Sequence, residues 1–283
     1  MIKYIKGDGV FMIIDGHAHA CGRYNCGENI IKHLDLHGID KVVLCPGEPG
    51  STKNYSYPML SDIFKSVNLV YSLNKIICFA TKMSGVSNHI DEQNKLVYDI
   101  SREYPQRIVN AYWADPLDEN CLQKLNEYYP VYNFKLIKMH QCWNKFDICD
   151  PRSVEIIKWA AEKNIPIFIH LLSEEQVLRF VKITNILKSC KFIVAHMIGF
   201  EKISMNTQND NVYYDLSGPQ TYPTKIIEKA LASVGSKRLI LGSDTPYGID
   251  NIEKIQNRLK QQSLSCKDLD NIEWRNIANL LEL

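Results

Sequence analysis

Apolar and polar residues alternate along this chain at two different periods. Short runs rich in Val, Ile, Phe and Tyr recur, and the stretches between them carry apolar residues at the i, i+3, i+4 spacing of amphipathic helices. Most of the short runs are apolar throughout, which is typical of strands in a sheet covered on both faces. The pattern predicts eight strands, at residues 10–15, 41–45, 107–113, 134–140, 165–170, 191–196, 211–216 and 238–244.

Two of the intervening helices have recognisable ends. The segment ENIIKHLDLH (28–37) is followed by Gly38, where a left-handed cap is expected. The segment DPRSVEIIKWAAEKN (150–164) places Pro151 in the first turn, which proline tolerates. This alternation of strands and helices predicts an α/β protein with a (β/α)8 barrel.

A ninth apolar run interrupts the alternation. KIICFA (75–80) lies within residues 46–106, a stretch too long for one helix and two turns. We therefore predict an insertion between strands two and three. Because no linker rich in Pro, Ser or Gly and no block of charge divides the chain, we expect residues 1–283 to form a single domain.

The composition narrows the class of partner. The 33 basic and 32 acidic residues are spread along the chain, so no basic patch for nucleic acid or an anionic membrane is visible. No segment approaches the ~20 continuous apolar residues of a membrane helix. We expect a small-molecule substrate, no nucleic-acid partner and no membrane partner. A homodimer is a general expectation for soluble enzymes.

The cysteines and the start of the chain bear on the compartment. The nine cysteines are odd in number, form no CxxC pair, and in several cases lie inside apolar runs such as KVVLC (41–45). This pattern is typical of a reduced, cytoplasmic protein. The opening MIKYIKGDGVFMII (1–14) shows no small-residue cleavage site, so we expect no removed leader.

Polar side chains that can do chemistry occur where the predicted strands end. His17 and His19 follow strand one. Strands four, five, six and eight end in His140, His170, His196 and Asp244. In a parallel barrel the C-terminal ends of the strands form the face where catalytic residues gather.

The spacing of His17 and His19 favours a metal site. Alternate residues of an extended segment point to the same side, so both imidazoles can face one point. His170 and Asp244 could complete a set of three nitrogens and one oxygen that leaves room for water. A divalent metal lowers the pKa of bound water from about 15.7 to about 7. His196 is then the candidate general acid or base.

Structural explanations compete with these functional ones. A single histidine at a strand end, such as His140, is as often a hydrogen-bonded structural residue as a functional one. His17 and His19 favour function, because two buried imidazoles without partners would cost several kcal/mol. The pair His33 and His37 lacks the glutamate of a zincin helix and is predicted to lie on a solvated face. Five further residues follow predicted strands and could touch a ligand, but we interpret them as ordinary loop positions: Arg23, Asn25, Trp143, Tyr222 and Tyr247.

Taken in order, several segments resemble the amidohydrolase-related family of metal-dependent TIM-barrel enzymes, over nearly the whole chain. The segments are IIDGHAH (13–19), YPQRIVNAYWADP (104–116), FKLIKMH (134–140), NIPIFIH (164–170), FIVAHMIG (192–199), NVYYDLSG (211–218), RLILGSDTPYG (238–248) and RNIANLLEL (275–283). Each alone is weak, whereas the ordered set is specific.

The resemblance implies one divalent metal ion, usually zinc. Its ligands would be His17, His19, His170 and Asp244, with His196 in the acid/base position. In such enzymes the aspartate at the position of Asp244 also hydrogen-bonds the attacking water. The resemblance therefore implies a second, catalytic role for Asp244.

Two further residues follow from the same resemblance. Relatives with two ions bridge them with a carboxylated lysine at the end of strand four, where this chain has Lys138. The resemblance favours the branch with one ion, in which His140 lines the substrate pocket.

The family contains two kinds of enzyme that these motifs do not separate. Hydrolases attack amide, ester or lactone carbonyls, whereas decarboxylases cleave unsaturated or aromatic carboxylic acids. We expect a metal-dependent hydrolase, with a decarboxylase as the alternative and a catalytically silent binding barrel as a third hypothesis. Met197, where a leucine is common, and residues 46–106 depart from typical members and leave the substrate open.

Overall fold

Eight parallel strands form the centre of the molecule. The computed structural model describes residues 12–64, 69–208 and 210–283. In chain order the strands are β1 (Ile14–His19), β2 (Lys41–Cys45), β3 (Ile108–Trp113), β4 (Leu136–His140), β5 (Ile167–His170), β6 (Phe192–Val194), β7 (Val212–Asp215) and β8 (Leu239–Ile240). Each strand pairs in parallel with the next in the chain.

Backbone hydrogen bonds between the first and last strands close the sheet. The amide of Gly16 donates to the carbonyl of Leu241 at 2.8 Å, and the amide of Asp244 donates to the carbonyl of His17 at 2.7 Å. The chain after β8 therefore continues the ring past the end of that short strand. This is the (β/α)8 TIM barrel that the hydrophobic pattern predicts.

Helices surround the barrel. They are α1 (Gly27–His37), α2 (Leu60–Phe64), α3 (Leu69–Ser84), α4 (Ile90–Glu103), α5 (Cys121–Tyr132), α6 (Pro151–Glu162), α7 (Glu174–Ile186), α8 (Phe200–Asn206), α9 (Thr224–Ser233), α10 (Asn251–Lys260), α11 (Cys266–Asp270) and α12 (Asn276–Leu281). The two predicted helix ends are confirmed. Gly38 caps α1 at a φ of 65°, a left-handed value that suits glycine, and Pro151 opens α6. None of the helices in the described ranges is long and apolar enough to cross a bilayer.

The core has an inner and an outer layer because the strand side chains alternate in direction. Every strand contributes to the inner layer, which α12 helps to close. Its strand members include Ile14, Val43, Val109, Leu136, Phe168, Ile193, Tyr213 and Ile240. Intervening residues such as Val42 and Leu44 pack outward among apolar residues of α1 and α4. Both faces of the sheet are thus covered, as the continuous apolar runs indicate.

Three strands differ most from their predicted bounds. β1 begins at Ile14 and runs on through His19, so both histidines lie within the strand. The predicted start at residues 10 and 11 lies outside the described residues. β6 ends at Val194 because His196 takes a left-handed φ of 52°. β8 has only two residues, and Asp244 follows it at a φ of 60°.

The insertion between strands two and three is confirmed, and it is helical. The run KIICFA (75–80) lies inside α3. The threonine hydroxyl of Thr81, on α3, donates to the carbonyl of Cys142 after β4 at 2.8 Å. The hydroxyl of Ser61, on α2, approaches the carbonyl of Pro219 after β7 at 3.5 Å. α2 and α3 therefore lie over the C-terminal end of the barrel.

The nine cysteines are free thiols in the structure, and five of them are buried. This agrees with the absence of a disulfide framework in the sequence pattern. The expectations of a cytoplasmic compartment and of a single domain stay predictions.

Candidate active site

β1 and the segment after β8 bring three polar side chains to one point at the C-terminal end of the barrel. The Nε2 atoms of His17 and His19 lie 3.1 Å apart. The Oδ1 atom of Asp244 lies 3.6 Å from Nε2 of His17 and 3.4 Å from Nε2 of His19. The strand spacing predicted this convergence of the two imidazoles, whereas barrel closure adds the carboxylate.

Hydrogen bonds at Nδ1 fix which nitrogen of each ring carries the proton. Nδ1 of His19 donates to the carbonyl oxygen of Pro46 at 2.6 Å. Nδ1 of His17 lies 3.0 Å from the hydroxyl of Ser217 and 3.3 Å from the carboxylate of Asp215. A neutral imidazole carries one proton, so both Nε2 atoms present lone pairs to each other. Lone pairs and a carboxylate oxygen at such short distances repel unless a positive charge lies among them.

One positive group already lies beside this cluster. The buried amine of Lys138, on β4, is 2.8 Å from Nε2 of His17. Burial lowers the pKa of this amine, while the nearby Asp244 favours its charged form. A single lysine at one edge contacts His17 and leaves the facing lone pair of His19 without a donor.

Burial also sets the protonation of the candidate ligands. Burial lowers the pKa of His17 and of His170 well below 6.5, so both rings are neutral near pH 7. Burial opposes ionisation of Asp244, but the neighbouring His196, His19 and Lys138 outweigh it and lower its pKa below 3.8. Neutral imidazoles with a carboxylate are the forms in which these groups bind metals.

His170, on β5, has one free lone pair. Its Nε2 lies 2.8 Å from Oδ1 of Asn74 on α3. Its Nδ1 is buried and has no hydrogen-bond partner among the described residues. An unsatisfied buried acceptor is uncommon and calls for an explanation. Together with the neutral imidazoles and the carboxylate of the cluster, it fits the nitrogen and oxygen donor set of a divalent transition metal.

Among the described residues, two groups of side chains offer ligand atoms that all lie within 4.8 Å of one another. One is His17, His196 and Asp244, and the other is His140, Cys142 and His170. In the second group Nδ1 of His140 accepts a hydrogen bond from the amide of Cys142 at 3.1 Å. The lone pair of His140 is therefore engaged, which makes this ring a wall of the cavity.

His196 is held by a network that the sequence reasoning missed. Its Nδ1 donates toward the carbonyl of Ser217 at 3.2 Å and toward the hydroxyl of the same residue at 2.9 Å. That hydroxyl donates to Asp215 and also contacts His17. The sequence does contain a signal for this network. Asp215 and Ser217 lie at the end of strand seven, just as the candidate histidines lie at the ends of their strands. Nε2 of His196 is left facing Asp244, whose Oδ2 lies 3.9 Å away.

The backbone at this site is unusual. His196, Met197 and Asp244 have φ values of 52°, 56° and 60°, a left-handed region that costs non-glycine residues about 1–3 kcal/mol each. Gly218 also has a positive φ, of 66°, and a Cβ there would lie 2.9 Å from Nδ1 of His196. Such strain gathers at functional sites, where the surrounding structure holds it in place.

A cavity of about 740 Å³ opens over these residues. One wall is apolar and comes from α3, with Leu73 and Ile77 among its members. Another wall is a row of tyrosines: the Tyr55 ring stacks on Tyr57 and on Tyr247, with centroids 5.8 Å and 5.9 Å apart. His19, Lys138, His140, His170, His196 and Asp244 line the same cavity.

Some residues interpreted from sequence as ordinary positions lie elsewhere than expected. Trp143 and Tyr247 line the cavity, so they are more than surface loop residues. Tyr222 is buried, and its hydroxyl donates to the carbonyl of Leu216.

The prediction that His33 lies on a solvated face of α1 is wrong. That ring is buried against Tyr24, and its Nδ1 lies 2.8 Å from Nη1 of Arg23.

Solved structures share this architecture. A dihydroxybenzoic acid decarboxylase from Polaromonas sp. JS666, with bound manganese and the inhibitor 2-nitroresorcinol, is 13% identical over 96% of this chain and 97% of that chain, with a TM-score of 0.67. An amidohydrolase from Burkholderia multivorans with bound zinc is 10% identical over 96% of this chain and 100% of that chain, with a TM-score of 0.64.

A third structure is described as a probable 2-pyrone-4,6-dicarboxylic acid hydrolase. It comes from Acinetobacter baumannii with citric acid bound, and is 14% identical over 96% of this chain and 100% of that chain, with a TM-score of 0.64. At these identities the likeness shows the fold alone. The relatives nevertheless include both hydrolases and decarboxylases.

Sequence comparison identifies the family. No curated protein matches the sequence significantly. The family model described as Amidohydrolase matches residues 86–283, which is more than half of the chain and includes β3 to β8. With the TIM-barrel fold, this match confirms the resemblance found in the sequence: the chain belongs to the amidohydrolase family.

Proposed function

We propose that this protein is a metal-dependent hydrolase that acts on an amide, ester or lactone carbonyl of a small molecule. One divalent ion, with zinc as the first choice, would be held by His17, His19, His170 and Asp244. The observation that carries the proposal is the pair of imidazole lone pairs facing each other at 3.1 Å beside the Asp244 carboxylate. The neutral rings and the unpartnered Nδ1 of His170 support it.

The residues around this site have distinct roles in hydrolysis. A bound divalent ion supplies polarisation of the carbonyl and a lowered pKa of water. His196 accepts the proton of the attacking water at Nε2 and returns it to the leaving group, while Ser217 holds the ring through Nδ1. Asp244 accepts a hydrogen bond from the same water through Oδ2. His140 contacts the substrate from the cavity wall.

A decarboxylase is the second candidate. A dihydroxybenzoic acid decarboxylase has the same fold, and the stacked rings of Tyr55, Tyr57 and Tyr247 form a flat wall that suits an aromatic acid. In that reaction His196 or Asp244 would protonate the substrate carbon, and carbon dioxide would then leave. The partner is in either case a small molecule, which suits the volume of the cavity. The proposal extends to a homodimer and to a cytoplasmic location.

Metal content tests the site. We expect about one zinc or similar ion per chain, by elemental analysis of protein purified without chelator, and loss of that ion in the His17→Ala, His19→Ala double variant. His37→Ala is the matched control, because this histidine lies exposed on α1 and should keep the ion. Two ions per chain would bring Lys138 forward as a bridging ligand. No metal under any loading condition would leave the silent barrel as the better account.

Isotope labelling separates the two reactions. A panel of amides, lactones and carboxylated aromatic acids is assayed in H₂¹⁸O with the metal-loaded protein. Hydrolysis places ¹⁸O in the new carboxylate, whereas decarboxylation releases carbon dioxide and leaves a product with one carbon fewer. Turnover of only the carboxylated aromatic acids, with carbon dioxide released, would replace the hydrolase proposal by its alternative.

A further inference from the structure

The insertion that covers the barrel sends one polar side chain down to the candidate site. Asn74 lies on α3 and is completely buried. Its side chain contacts three consecutive residues at the end of β5, which are His170, Leu171 and Leu172. No feature of the sequence singles out this asparagine, because it lies 96 residues from His170.

The neighbours of Asn74 determine how its amide is oriented. The nitrogen Nδ2 lies 2.9 Å from the carbonyl of Leu171 and 2.9 Å from the carbonyl of Leu172. Carbonyl oxygens only accept hydrogen bonds, so both amide hydrogens must point at them. Oδ1 is therefore the atom directed at Nε2 of His170, at 2.8 Å.

This orientation decides where the proton of His170 lies. Oδ1 of an amide accepts and cannot donate, so Nε2 of His170 must carry the hydrogen. A neutral imidazole has one ring proton, and its lone pair is then on Nδ1. That atom is buried and has no hydrogen-bond partner in the described part of the chain.

We propose that Asn74 is a positioning residue that holds His170 in the Nε2–H tautomer and presents its Nδ1 lone pair to a divalent cation. The inference rests on the proposed function, since the cation is the one assigned to that site. Histidine ligands commonly donate their second ring nitrogen to an acceptor that fixes the tautomer and the ring orientation. Here the acceptor comes from the insertion, so the helix that walls the cavity also orients a ligand.

A merely structural attachment would look different. Thr81 lies further along α3 and donates a hydrogen bond to the carbonyl of Cys142. This hydrogen bond involves no candidate ligand. Asn74 instead uses both donors on the backbone and keeps its one acceptor for the imidazole. Asn74→Leu removes that acceptor at similar volume, and Asn74→Asp keeps an acceptor. Thr81→Val removes the hydroxyl that attaches α3 to Cys142 and leaves Asn74 in place.

Two measurements test the proposal. In metal-free protein labelled with ¹⁵N-histidine, two-bond ¹H–¹⁵N spectra report the tautomer of His170, assigned by its absence in His170→Asn. We expect the Nε2–H form in the wild type, in Asn74→Asp and in Thr81→Val, and a mixture of tautomers in Asn74→Leu. Zinc affinity, from competition with a chromophoric chelator, should weaken about 10- to 100-fold in Asn74→Leu. Thr81→Val should bind zinc as the wild type does.

The outcomes separate this inference from the proposed function. A wild type that binds zinc while Asn74→Leu binds it equally tightly overturns the role of Asn74 and leaves the function standing. A wild type that binds no divalent ion under any loading condition refutes the function, and the tautomer spectra then decide independently whether Asn74 sets the ring. If Asn74→Leu does not fold, as judged by circular dichroism, an Nδ1–H signal for His170 in the wild type still overturns the inference.

Discussion

His17, His140 and His170 are neutral bases near pH 7 because burial lowers the pKa of each ring well below 6.5. What each neutral ring can do depends on where its lone pair lies. The lone pair of His140 is engaged by the amide of Cys142, whereas those of His17 and His170 are held in the directions described above. The residues therefore divide into a wall histidine and candidate ligands.

His170 supplies the first prediction at the residue scale. We expect His170→Ala to reduce the metal content well below one ion per chain, because the substitution removes a buried ring nitrogen of the site that lacks a hydrogen-bond partner among the described residues. Elemental analysis after extensive dialysis measures this. His140→Ala is the comparison, since that ring belongs to the cavity wall. Unchanged stoichiometry in His170→Ala would remove the residue from the ligand set.

His196 supplies the second prediction at the residue scale. We expect His196→Asn to keep the metal and to lower kcat about 100- to 10,000-fold, which is the usual contribution of general acid–base catalysis. Asparagine can still donate to the carbonyl of Ser217 but cannot carry the proton of the attacking water. The assay is steady-state kinetics on whichever substrate the panel identifies, with metal content measured in parallel. Full activity of this variant would end the acid/base assignment.

At the scale of elements, asparagines between strands two and three attach helices to strand ends. Asn74 joins α3 to β5, and Asn94 joins α4 to β3. The side chain of Asn94 donates to the carbonyl of Trp113 at 3.0 Å and accepts from the amide of Trp113 at 2.7 Å. One side chain thus hydrogen-bonds both backbone groups of the last residue of β3.

This attachment predicts a stability effect. We expect Asn94→Ala to lower the free energy of unfolding by about 2–5 kcal/mol, because two buried backbone groups lose their partners. Reversible urea unfolding of the metal-free protein measures the change. Asn29→Ala is the control: its hydrogen bond with Asn25 is exposed, so the expected change is within about 0.5 kcal/mol. A similar small change in Asn94→Ala would show that water can replace the asparagine at β3.

At the scale of the whole molecule, several buried titratable groups lie at one end of the barrel. Some of them release a proton when the chain folds, and others take one up. His17, His140 and His170 release protons on folding, since the pKa of each is lower in the folded protein than the unfolded value of 6.5. Asp15 takes up a proton, because burial raises the pKa of its carboxyl from 3.8 to about 7 despite hydrogen bonds from Ser243. The three histidines therefore make the free energy of unfolding rise with pH, whereas Asp15 makes it fall with pH.

The signs lead to a paired prediction for the metal-free protein. Below pH 6.5 the unfolded chain binds one more proton at His140 than the folded chain, so this residue makes stability fall as pH falls. His140→Gln should reduce the slope of unfolding free energy against pH between 5 and 6.5 by about 1.4 kcal/mol per pH unit at most. Asp15 makes stability fall as pH rises from about 4 to about 7, so Asp15→Asn should make the slope more positive.

Urea unfolding at several pH values measures both slopes. The two variants act as controls for each other, because a nonspecific loss of stability would lower both curves without changing their slopes in opposite directions. Equal slopes in the wild type and in both variants would show that these groups titrate alike in the folded and unfolded chains.

The sequence by itself determined the barrel, the insertion and the end of the barrel that holds the candidate site. Strand and helix periodicity is local, and parallel strands place their C-terminal ends together, so His17, His19, His140, His170, His196 and Asp244 were found from their positions alone. The alternation of side chains within one strand even predicted that His17 and His19 face one point.

Only the tertiary structure decided which partners orient those residues. Asn74 lies 96 residues from His170, and Ser217 lies 200 residues from His17. The left-handed backbone at Asp244 and the burial of His33 likewise depend on what packs beside them. A hydrogen bond between distant residues leaves no periodic trace in the chain, because it forms only after barrel closure and the docking of α3 bring the two residues together.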